Sequence, residues 1–171
     1  MRMIGGILDR LVLVTGFVAG GCIPGFIAQY RQRVGGALDQ VSKDLAPFQA
    51  IADRLHGGSL EALVRHHLAS SDATFHAEGA AIRAMMDSLS SLREAFRALE
   101  TDLFHQIAYL LQHADGAIVR ATWSIFQPTF VLSADGLLVA ALVGVSVWLV
   151  FLAVWWSGVA FFRPKRFSEY S

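Results

Sequence analysis

"LLVAALVGVSVWLVFLAVWWSGVAFF", Leu137 to Phe162, contains no ionisable side chain. A helix needs only about 20 predominantly apolar residues to cross the hydrocarbon core of a bilayer, and this run is longer. A soluble helix is seldom apolar on every face over such a length, so the stretch predicts a transmembrane helix. Ser133 and Asp135 are candidate caps for its start, and "RPKR", Arg163 to Arg166, stops it.

The rest of the chain is consistent with a membrane protein. Of its 171 residues 54% are hydrophobic and only 16% charged, and the net charge is zero. A neutral chain lacks the basic footprint of a nucleic-acid binder, so no nucleic-acid partner is expected. The single cysteine, Cys22, rules out an internal disulfide framework and a multi-thiolate metal site within one chain.

A second apolar run, Leu11 to Ala28, lies near the N-terminus, and Ile4 to Leu8 extends it upstream past Asp9 and Arg10. Those two charges are expected near the rim of the bilayer, where Arg10 can snorkel. Three readings compete. A retained transmembrane helix fits the length. A cleaved signal peptide lacks an A-x-A site after the run. A lipoprotein signal would process at Cys22 within "VAGGC", but Ala19 stands where leucine is usual. The retained helix is preferred, with Cys22 a small residue inside it.

Both runs carry small residues four apart: Gly16 and Gly20, then Gly21 and Gly25, in the first; Gly136, Ala140 and Gly144 in the second. Such rows let helix backbones approach closely in lipid, so the two spans are expected to pack together. A partner protein or a second copy is the competing occupant. Arg163, Lys165 and Arg166 follow the second span, whereas only Arg120 precedes it closely, which places the C-terminus in the cytoplasm. Two spans put both termini on that side and the intervening segment outside.

Between the spans the pattern is helical. Val34, Leu38, Val41, Leu45, Phe48, Ala52 and Leu55 recur at spacings of four and three. Ile82, Met85, Leu89, Leu92, Phe96, Leu99 and Leu103 do the same, followed by Ile107 and Leu110. These are seams of helices packing nearly parallel or antiparallel, as in coiled coils. "HGGS", His56 to Ser59, is a break with Ser59 as N-cap, and Asp72 caps a later helix. Pro47 is a candidate kink. The expected fold is an all-α membrane protein, with two transmembrane helices flanking an extracytoplasmic antiparallel bundle. Its parts are a first span (1–28), the bundle (29–128) with one long returning helix, a second span (129–163) and a basic tail (164–171). Tyr30, Arg31 and Arg33 at one exit, and Trp123, Phe126 and Phe130 at the other, suit the outer membrane interface. Arg163, Lys165 and Arg166 suit the inner one.

Six histidines invite a metal test. His105 and His113 lie two turns apart, too far for one ion, with Tyr109 between them. His56, His66 and His67 could converge with Glu61 across the first break, but nothing matches H-E-x-x-H, and exposed surface histidines are the preferred reading. The spans offer no haem ligand or ion relay beyond Asp9 and Arg10. No phosphate loop, nucleophile elbow, kinase signature or dinucleotide fingerprint is present. No catalytic, metal or cofactor residue is therefore assigned.

Phe26, Gln29, Tyr30, Gln32, Arg33, Val34, Gly35 and Gly36 follow the pattern F-x-x-Q-Y-x-Q-R-[LV]-G-G, and "PTF", Pro128 to Phe130, precedes the second span. With this layout the chain resembles a bacterial membrane-protein family defined as a domain of unknown function. The resemblance covers nearly the whole chain. It implies an inner-membrane protein and brings no activity, cofactor or catalytic residue. Gly35 and Gly36 are expected where another helix comes close, with the segment around Trp123 as the candidate neighbour. The functional expectation is a non-enzymatic interaction, scaffold or accessory-subunit module, bound to the bilayer and to a protein partner or a second copy. A sensor module signalling through a membrane partner is the alternative, and a metal-binding or enzymatic periplasmic domain the weaker one.

Overall fold

A computed structural model describes the backbone of residues 2–161 and the side chains of residues 7–157. Arg163, Lys165, Arg166 and the proposed tail lie outside the described residues. Within them the chain is all helical, with no strand: α1 (Arg2–Leu55), α2 (Leu60–Leu68), α3 (Ala73–Ala98), α4 (Leu103–His113), α5 (Gly116–Trp123) and α6 (Ala134–Phe161). Two helices, α1 and α6, are long and apolar enough to cross a membrane. The described residues form two compact units, one from the chain up to Phe26 together with that from Gln127 onward, the other from Ile27–Phe126.

Helix α1 supplies residues to both units. It remains helical through Pro24 and Pro47, although each proline withdraws one backbone donor from the ladder. It stops at the glycine pair: Gly57 and Gly58 have φ of 61° and 82°, a left-handed conformation that glycine adopts without a Cβ clash. The Gly58 N–H returns to the Ala52 carbonyl at 3.0 Å. Ser59 then caps α2, its Oγ accepting from the Ala62 N–H at 3.1 Å. Asp72 caps α3, accepting from the Thr74 N–H at 2.7 Å.

In the Ile27–Phe126 unit, Leu45, Val64 and Ile82 from α1, α2 and α3 form one buried cluster, flanked by Val41, Phe48, Leu68, Met85, Met86 and Leu89. Val34, Ala52 and Leu99 are also fully buried. Leu55, expected in the same seam, is instead 73% exposed, because the helix ends there.

The expected long returning helix is three helices. The apolar spacing runs on through Leu99, Leu103 and Ile107, but polar side chains end the ladder between them. Thr101 Oγ1 donates to the Ala98 carbonyl at 2.7 Å, and Gln106 Nε2 donates to the carbonyls of Leu99 and Thr101 at 3.0 and 2.7 Å. Asp102 restarts the helix by accepting from the N–H groups of Phe104 and His105. Asp115 does the same for α5, accepting from Ala117 and Ile118 at 2.7 and 3.1 Å.

Candidate functional site

The most specific packing in the first unit is built from glycines. A Cβ on Gly20 would lie 2.8 Å from the Val143 Cβ and 3.0 Å from the Ala140 Cα, and one on Gly16 would lie 3.1 Å from the Gly144 Cα. Reciprocally, a Cβ on Gly144 would lie 3.0 Å from the Phe17 nitrogen. Backbones that close leave room only for hydrogen at these positions. The segment leading into α6 packs on α1 at the next glycines. Thr129 lies over Gly25, its carbonyl 2.7 Å from a Cβ built there, and the Phe130 ring occupies the space a Gly21 side chain would fill. Phe130 also meets Phe17, with ring centroids 5.7 Å apart, and the Val131 N–H donates to the Gly21 carbonyl at 3.2 Å. Gly136 sits in the local turn, close to the Val131 carbonyl and Ser133 Oγ. Cys22 is a half-buried free thiol in the same part of α1.

A polar contact joins the two apolar helices: the Trp148 indole N–H donates to the Asp9 carboxylate. Trp148 stands midway along the apolar run 137–162, so Asp9 meets the middle of α6. The reason is register: with Gly16 opposite Gly144, two further turns down α1 bring residue 9 to the middle of α6.

A family profile described as "Protein of unknown function (DUF2937)" matches residues 4–164, which takes in both apolar helices and everything between them. The chain belongs to this family. No curated protein and no solved structure matches it.

In this DUF2937 protein, several residues take positions that sequence spacing did not assign. Tyr30, expected among the headgroups, is 1% exposed, and its hydroxyl accepts a hydrogen bond from the Asp115 N–H at 3.0 Å. Burial raises its phenol pKa above the usual value, with Tyr109 and Asp115 adding to the rise and the hydrogen bond opposing it. Its flat polar tip ties α1 to the α4–α5 turn. Trp123 is exposed and stacks on Phe126, with centroids 5.9 Å apart. Arg31 is exposed and Arg33 half-buried.

The glycine pair at 35 and 36 divides. A Cβ on Gly35 would lie 3.1 Å from Phe96 Cε2, so its neighbour is α3, not the Trp123 segment; Gly36 faces open space and packs against nothing. The glycine that the sequence reading missed is Gly79. A Cβ there would lie 2.8 Å from the His67 Cβ and 3.1 Å from the Leu68 nitrogen, so it sets the close approach of α2 and α3. A lone glycine inside an otherwise helical pattern was the available signal.

The histidines are not all surface residues. His67 is buried, with Nδ1 2.9 Å from the Leu63 carbonyl and Nε2 3.6 Å from the Glu78 carboxylate. His56 and His66 do meet across the first break, with ring centroids 5.3 Å apart. Glu61 does not join them; it pairs with Arg83 of α3 at 2.9 Å. Among the described residues, no three of His, Cys, Asp and Glu gather as metal ligands would.

Proposed function

We propose that this chain is a non-enzymatic bacterial inner-membrane protein in which α1 and α6 span the bilayer. The helical segment between them, an antiparallel bundle, stands on the periplasmic side as an interaction or accessory-subunit module. Arg163, Lys165 and Arg166 beyond the second span support cytoplasmic termini.

The observation that carries the interaction role is the outer face of α4. None of its residues is buried. Phe104 and Leu111 are 47% and 81% exposed, and Ala108 between them is exposed too. Spaced at i, i+4 and i+7, the three make one apolar stripe outside the membrane-spanning helices. Isolated apolar residues on a surface are ordinary, but an aligned aromatic and aliphatic pair suits helix-on-helix docking.

Photo-crosslinking in native membranes tests this reading. A photoreactive residue at Leu111 is expected to give a discrete adduct, whose mass distinguishes a second copy from a different protein. One at Ala50, exposed on α1, should give none. No adduct from position 111, with the solubilised protein running as a monomer, refutes the proposal.

A further inference from the structure

The Ile27–Phe126 unit contains a groove of about 670 Å³ walled by α1, α3, α4 and the start of α5. That volume falls within the range of small-molecule sites, roughly 300–1,000 Å³. Asp87, Ser88 and Ser91 line it from α3, with Ser91 at the i+4 and i+3 spacings that make it a surface neighbour of Asp87 and of Ser88. Tyr109 and His113 line it from α4, their rings 5.5 Å apart. Tyr30 and Asp115, joined by their hydrogen bond, contribute from α1 and the α4–α5 turn.

Apart from the His113 imidazole, the charged groups of the lining are acidic. Two carboxylates face the groove, and no lysine or arginine lines it. Glu94 is near enough to add to the rise that burial imposes on the Tyr109 phenol. Hydrogen-bonding capacity is also left over. Asp115 spends one carboxylate oxygen on the α5 cap, whereas Asp87, Ser88 and Ser91 have no side-chain partner among the described residues. A carboxylate and two hydroxyls supply three acceptors side by side, and an –NH₃⁺ group has three donors to give. The Tyr109 ring, half-buried at the groove, provides apolar area and a π face that attracts a cation.

We infer that this groove binds a linear aliphatic amine, its ammonium on Asp87 with Ser88 and Ser91, and its methylenes along Tyr109. An anion would be repelled by Asp87 and Asp115, and a wholly apolar molecule would strip water from Asp87 without replacing its hydrogen bonds. Asp115, on a different wall, offers a second carboxylate to a diamine. The inference goes beyond the interaction reading and does not depend on it.

Isothermal titration of the full-length protein in detergent with 1,4-diaminobutane and with spermidine tests it, glutarate serving as the anionic control. Saturable binding of at least one amine is expected, with none of glutarate. Asp87→Asn should weaken binding by about tenfold or more, the loss of one charge-assisted contact. Ser91→Ala should weaken it by a smaller factor. Both positions are exposed on α3, so helicity should match the wild type. Asp39→Asn makes the same charge change at an exposed α1 position outside the groove and should leave affinity unchanged. No saturable amine binding, equal binding of glutarate, or an equal loss in Asp39→Asn would overturn the inference.

Discussion

Asp102 shows how a single side chain decides where a helix begins. Its carboxylate accepts from the backbone N–H groups of Phe104 and His105 at 3.1 and 3.2 Å and pairs with the His105 imidazole. The His105 N–H, followed by its imidazole, holds the carboxyl below the usual range. A lowered folded-state value means that the cap contributes its stability above the unfolded value, near 3.9. That contribution disappears as pH falls through the lowered folded value. The Phe104 and His105 amide resonances should therefore show a shared step below about pH 4. In Asp102→Asn, whose amide also caps well, the pH step should vanish while α4 persists. A step that survives in Asp102→Asn would assign it to another group. Tyr30 makes a related point, because its hydroxyl partner lies 85 positions away, beyond the reach of any local pattern.

At the scale of the element, two glycines in α1 have opposite environments. Gly20 meets α6 so closely that even a methyl group collides with Val143 and the Ala140 backbone. Gly36 has open space where its side chain would be. Gly20→Ala should lower the stability of the α1–α6 pair by about 1–3 kcal/mol, the usual cost of overpacking. Gly36→Ala should raise stability by up to about 1 kcal/mol through helix propensity alone. Denaturation in mixed micelles, followed by helicity, reads both. Destabilisation by both substitutions would mean that Gly36 has a neighbour after all. A lipid environment offers no hydrophobic reward for helix pairing, which is why such close contact, with the Asp9–Trp148 hydrogen bond, matters there.

For the whole molecule, the proposed topology makes its own forecast. Ser71 lies exposed between α2 and α3. On a Cys22→Ala background, Ser71→Cys should react with a membrane-impermeant maleimide in intact cells. Ser168→Cys, beyond the second span, should react only after the membrane is permeabilised. The reverse pattern would place the intervening helices in the cytoplasm and refute the periplasmic assignment.

The legible parts of this protein are those written in local chemistry. Two apolar runs, the glycine break at 57 and 58, and the caps at Ser59 and Asp72 follow from transfer energies and backbone donors a few residues apart. The break after Leu99 was hidden because its apolar spacing continues across it, and only Thr101, Asp102 and Gln106 end the ladder. A seam shows which face is buried but not which helix covers it. Sequence by itself determined that the chain is helical, with two helices able to cross a membrane and small residues at their contact. Only the tertiary structure decided that Gly35 meets Phe96, that Gly79 admits α2, that Asp9 reaches the middle of α6, and that Tyr30 is buried beside a groove. These depend on register between distant helices, which is set by packing and leaves no periodic trace in either strand of the pattern alone.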